Sequence, residues 1–70
     1  MKATITTKLA TTICGEVTFI GSQIIAIDVN ELSATKASEL ADADVSMTKY
    51  RTCWHVQIPR RTIDTMAIED

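Results

Sequence analysis

Seventy residues carry one histidine, two cysteines, two glycines and one proline. So few glycines leave no Gly-rich phosphate loop, and no GxSxG, HExxH or CxxC spacing occurs anywhere, so the patterns that announce nucleotide binding, a serine nucleophile, a zinc protease or a thiol redox centre are missing. Cys14 and Cys53 are far apart in sequence and read as free, buried thiols in a reducing compartment. Aromatic side chains are scarce as well. Phe19, Tyr50 and Trp54 are the only three, and eight of the hydrophobic residues are alanines, so any core must be aliphatic and thin. No stretch approaches the roughly 18 to 20 consecutive apolar residues of a membrane-spanning helix. The opening segment MKATITTKLATTICGE is interrupted by threonines throughout and does not read as a signal peptide, which makes the cytoplasm the expected location.

What the chain does have is a hydrophobic fraction of 46%, too high for a disordered tail, in a length that fits one domain spanning residues 1–70. Its first third is patterned for strands. From Lys2 to Leu9, Ala3, Ile5, Thr7 and Leu9 alternate with Lys2, Thr4, Thr6 and Lys8, a period of two with one wet face. Runs at Ile13 to Ile20 and Ile24 to Val29 are rich in β-branched residues and are separated by Gly21-Ser22, so a three-strand meander is expected. A three-residue loop at Ala10-Thr11-Thr12 would pair Leu9 with Ile13, Thr7 with Gly15, Ile5 with Val17 and Ala3 with Phe19 on one face. At the second turn, Gly-Ser chemistry favours a two-residue loop, whereas the face pattern favours Val17 opposite Ile27 and Phe19 opposite Ile25. A bulge would reconcile the two.

Between Asn30 and Ala43 the β-branched residues nearly vanish. Ala34, Ala37, Leu40 and Ala41 recur at spacings of three and four, predicting a helix with Ser33 as N-cap, Leu32 as a staple onto Ala37, and an end near Asp42. Alternation then returns. Trp54, Val56 and Ile58 share one face of a strand with Thr52, while Cys53, His55 and Gln57 take the other, until Pro59 ends it. A preceding strand at Val45 to Thr48, joined through Lys49-Tyr50-Arg51, is expected, with one long bulged strand as the alternative. After Pro59, Ile63, Met66 and Ala67 at i, i+3 and i+4 suggest a short closing helix, although Ile68 also allows a strand. The expected fold is therefore α+β: an antiparallel sheet of about five strands in the order β-β-β-α-β-β, with one helix packed on one face.

Catalysis has little to work with. Cys53 and His55 would lie two apart on a strand, nearly 7 Å between Cα atoms by strand rise, with no third group evident to orient the imidazole. A metal would need Cys14, Cys53, His55 and Asp28 to converge from distant segments with no local pair to nucleate the site. No enzyme activity, metal or cofactor is expected.

Charge is the more informative signal. From Lys49 to Arg61 there are four bases (Lys49, Arg51, Arg60, Arg61) and no acid, whereas the other 57 residues hold three bases and nine acids, so a +4 window sits in a chain whose remainder is −6. Lys49, Tyr50, Arg51, His55, Arg60 and Arg61 are accordingly the candidate binding residues. As anchors with a charged rim they suit a protein partner. As phosphate contacts beside a stacking ring they suit single-stranded nucleic acid, but four bases are few and the chain's net −2 opposes it. In size and composition the chain looks like the small accessory proteins with which phages and mobile elements bind and inhibit or modulate host machinery. A core this thin also leads to the expectation of a homodimer covering a sheet edge.

Overall fold

Nearly all of the alternating segments become strand in the computed structural model, which describes residues 1–70. The elements are β1 (Lys2–Thr7), β2 (Thr12–Ile20), β3 (Ile24–Val29), α1 (Ala34–Asp42), β4 (Ser46–Lys49), β5 (Trp54–Pro59), a 3-10 turn at Arg60–Thr62, and β6 (Ile63–Glu69). They form a single sheet in the order β4-β5-β3-β2-β1-β6 with every neighbouring pair antiparallel. The α+β class and the single helix are as the sequence implies. The sheet has six strands rather than five.

The added strand is the tail, where the sequence spacing suggests a short closing helix and Ile68 allows the strand that forms. Opposite β1, Ile63 pairs with Thr7, Met66 with Ile5 and Ile68 with Ala3, and the register shifts between Thr6 and Thr7. One extra residue at this bulge stretches the apolar spacing from two to three. A bulged strand thus shows the i, i+3 interval of a helix, and pairing along β1 decides between them.

The first hairpin keeps the expected loop length but places it two residues earlier. Ile5 pairs with Ile13 and Ala3 with Gly15, and the loop is residues 8–10, with the Ala10 N–H donating to Thr7 O and the Thr7 N–H to Thr11 O. Ala10 has φ 70°, the left-handed residue that closes a three-residue hairpin of this type. The Thr7 hydroxyl accepts from the Thr11 N–H at 3.3 Å, and Leu9 is left exposed. A slip of this size preserves which face each side chain occupies, because the side-chain period along a strand is two. At the second turn the bulge does occur. Val17 pairs with Ile27, but beyond the shift Phe19 pairs with Ala26 and Ile20 with Ile25. Phe19 therefore turns to the outer face instead of joining Ala3 and Val17.

The helix ends are set by local chemistry. The Ser33 side chain accepts from the Lys36 N–H at 3.1 Å. At the other end the Val45 N–H donates to Leu40 O and the Asp44 N–H to Ala41 O, with Asp44 at φ 61°. This is a Schellman ending, and its apolar pair, Leu40 with Val45, is buried in the core.

The core lies on the concave face of the sheet, where Ile5, Ile25, Ile27, Val56 and Ile58 are fully buried beneath Leu40 of α1. The connection from β5 to β6 requires the curvature. In a flat sheet with these registers, the end of β5 and the start of β6 would lie more than about 30 Å apart, being four strand spacings across and roughly ten residues along. The four Cα steps from Pro59 to Ile63 span at most about 14 Å. The longest dimension of the molecule is only 26 Å, so the sheet coils like a staggered, unclosed barrel. Gly15 sits where β2 and β3 approach closely. A Cβ there would come within 2.8 Å of Val29 Cγ1 and against the Asp28 carbonyl oxygen.

Two outcomes follow. Gly15→Ala should force β2 and β3 apart, costing about 2 kcal/mol or more and lowering the thermal midpoint by about 8 °C or more. A change of under 2 °C, judged on the roughly 4 to 8 °C per kcal/mol expected of so small a domain, would show that the strands are not in close approach. Ala10→Gly should act in the opposite direction. Relief of the left-handed strain on alanine exceeds the added unfolded-chain entropy by about 0.5 kcal/mol, raising the midpoint by a few degrees. Asp44→Gly should gain less, because aspartate tolerates that conformation better. A lower midpoint for Ala10→Gly would refute the hairpin loop described here.

Candidate binding surface

The six candidate residues are divided between the two ends of β5. Lys49, Tyr50 and Arg51 lie at the β4–β5 hairpin, with His55 just inside β5, whereas Arg60 and Arg61 follow its other end. The six residues of β5 hold the two groups about 20 Å apart. The +4 window of the sequence is thus two separate basic clusters and not one patch.

The arginine pair is occupied within the fold. Arg60 Nε donates to Gly21 O at 2.6 Å, and its N–H donates to Gln23 O at 2.8 Å, tying the 3-10 turn to the β2–β3 loop. Arg61 Nη2 donates to Asp44 Oδ2 at 3.2 Å. Both partners are largely exposed, so this ion pair contributes little to stability. It flanks a shallow cleft of about 290 Å³ that also includes Lys8 and Asp42. Asp44, just after the helix, therefore meets the second basic cluster through Arg61, and the charge separation seen in sequence is partly cancelled in space.

The hairpin end is different in character. Lys49 pairs with Trp54 across the ladder, and the Tyr50 N–H donates to Cys53 O at 2.8 Å, closing a four-residue connection. Two strands and a turn make this segment, which excludes the single long strand. Lys49 Nζ stands 5.1 Å from the centre of the Trp54 ring, a cation–π distance. Trp54 itself is half-buried and packs against the core. The Tyr50 ring lies 6.1 Å from His55, edge to face at 62°, yet Tyr50 is 55% exposed. Arg51 and Thr52 beside it are exposed.

His55 has the orienting group that the sequence did not reveal. Its Nδ1 lies 2.8 Å from Asp28 Oδ1; a carboxylate only accepts, so in this pair Nδ1 carries the proton. The two residues are register partners across β3 and β5. They belong to a row that crosses the entire outer face: Thr48, His55, Asp28, Glu16, Lys2 and Glu69 are successive lateral neighbours. Strand parity places each of them on the wet face, but only the register aligns them in one row. Cys53 is in the turn, half-buried, and no thiol or hydroxyl is hydrogen-bonded to the His55 ring. No three His, Cys, Asp or Glu side chains are gathered as a metal ion would need, and no helix is long and apolar enough to cross a membrane.

No family model, curated protein or solved structure matches this chain.

Proposed function

We propose that the chain is a non-enzymatic protein-binding module that engages its partner through the β4–β5 hairpin, with Tyr50 as the anchor and Lys49 and Arg51 as a basic rim. The observation that carries this reading is a 55% exposed tyrosine braced edge-on by a histidine that is itself fixed by Asp28. A ring held in place before contact loses little freedom on binding, and tyrosine and arginine are the residue types that dominate interface energetics. The partner surface that fits is acidic, with a recess for the phenol. A chain of this size acts on such a partner by covering part of it, so inhibition or modulation of a larger protein, in the manner of small phage or mobile-element accessory proteins, belongs to the same proposal.

Binding of nucleic acid is the weaker alternative. With Arg60 and Arg61 at the far end of β5 and held by Gly21 and Asp44, only two bases remain beside Tyr50, and the acidic row on the outer face opposes a phosphate backbone.

Tyr50→Ala and Arg51→Glu should each weaken a nuclease-resistant complex, captured from the native cell lysate, by about tenfold or more. Both side chains are exposed, so the thermal midpoints should remain close to that of the parent chain. The reading fails if capture is lost on nuclease treatment while labelled single-stranded DNA or RNA binds at low salt in an Arg51-dependent manner. It also fails if both variants capture the same partner as tightly as the parent chain.

A further inference from the structure

The far edge of the sheet has a different chemistry from the hairpin. In β1, the Thr7 N–H donates to Thr11 O and the Val17 N–H donates to Met1 O, so the odd residues of β1 bond to β2. Alternation in an antiparallel ladder then directs Lys2, Thr4 and Thr6 to β6, where their register partners are Glu69, Ala67 and Thr65. The backbone N–H and C=O groups of Met66 and Ile68 consequently point away from the sheet, along its open edge.

This edge lacks the usual protection. Between Thr65 and Ile68 there is no proline, glycine or charged residue, and five of the seven residues of β6 are exposed, with the other two half-buried. Proteins ordinarily blunt such an edge with lysine, proline or a covering segment. Met66 and Ile68 also lie opposite the buried Ile5 and Ala3, so they form a rim of the core, with Ile68 still 41% exposed. Asp64, Glu69 and Asp70 flank this apolar stretch, giving residues 63–70 a charge of −3 with no base.

We propose that β6 accepts, by antiparallel strand addition, an extended segment of a partner protein whose side chains alternate and whose ends are basic. Main-chain hydrogen bonds to Met66 and Ile68 supply the register, and the apolar residues of the incoming strand extend the concave face past Ile68. The bases meet Asp64 and Asp70, six residues apart. Charge decides against a second copy of this chain in that position. A two-fold pairing that sets Met66 opposite Ile68 also sets Asp64 opposite Asp70, and every symmetric register brings together two segments of charge −3. This surface is separate from the hairpin and does not depend on it.

The test uses an acetylated and amidated peptide, Lys-Thr-Val-Thr-Val-Thr-Lys, in which the valines fall opposite Ile68 and Met66 when the lysines meet Asp70 and Asp64. Titration of the full chain should show saturable binding. N-methylation of both valine amides should weaken it by about tenfold or more, since those N–H groups face β6. N-methylation of the two threonine amides that flank the second valine should leave the affinity close to that of the unmodified peptide, since those groups face away. Ile68→Pro, which removes an N–H that the fold does not use, should weaken binding comparably, whereas Tyr50→Ala should not change it. Equal affinity for both methylated peptides would reduce the effect to charge alone and overturn the proposal. So would the absence of binding at millimolar peptide, or sedimentation showing self-association of the parent chain that Ile68→Pro abolishes, which would seat a second copy on the edge.

Discussion

Three residues between Pro59 and Ile63 must carry the chain from β5, next to one edge of the sheet, to β6 at the other. A connection that short can be made only if the sheet coils until those ends meet, and much of the remaining architecture accommodates the coil. Gly15, opposite Ala3, sits where any side chain would strike β3. Arg60 holds the 3-10 turn against the β2–β3 loop through two hydrogen bonds to backbone carbonyls. Coiling also makes a thin core sufficient, because a concave face surrounds a small set of isoleucines and valines that a flat sheet would leave half open, and one helix closes over them with Leu40.

The same constraint distributes the surface chemistry. Coiling does not close the sheet, so it keeps two edges. At the β4 side stands the basic hairpin with its exposed tyrosine, and at the β6 side stands an acidic, apolar-centred strand with unpaired backbone groups. The two proposed binding modes differ accordingly. One relies on side-chain anchoring by a preorganised ring and the other on main-chain pairing, and their charge preferences are opposite. The polar row that runs from Thr48 through His55, Asp28, Glu16 and Lys2 to Glu69 joins the two sides across the outer face.

Local patterns made much of the architecture legible. Period-two alternation marked β1 and β5, runs of β-branched residues marked β2 and β3, the loss of β-branched residues marked the helix, and Ser33 marked its start, because each of these signals arises from neighbours within a few residues. The candidate site was legible only as residue types. A tyrosine and an arginine near a histidine were visible in sequence, but Asp28 lies 27 positions from His55, and the hydrogen bond between them exists only through the register of β3 on β5.

The sequence by itself determined which side of β1, of β5 and of β2 up to Val17 faces the core and where the helix begins and ends, because side-chain alternation and capping are local. It did not determine register, since moving the first hairpin loop by two residues leaves every face unchanged. It did not determine the tail either, because a bulge gave a strand the spacing of a helix. Tertiary structure decided both through pairing along β1. It also broke one run of positive charge into two clusters, because a strand of six residues holds its two ends about 20 Å apart.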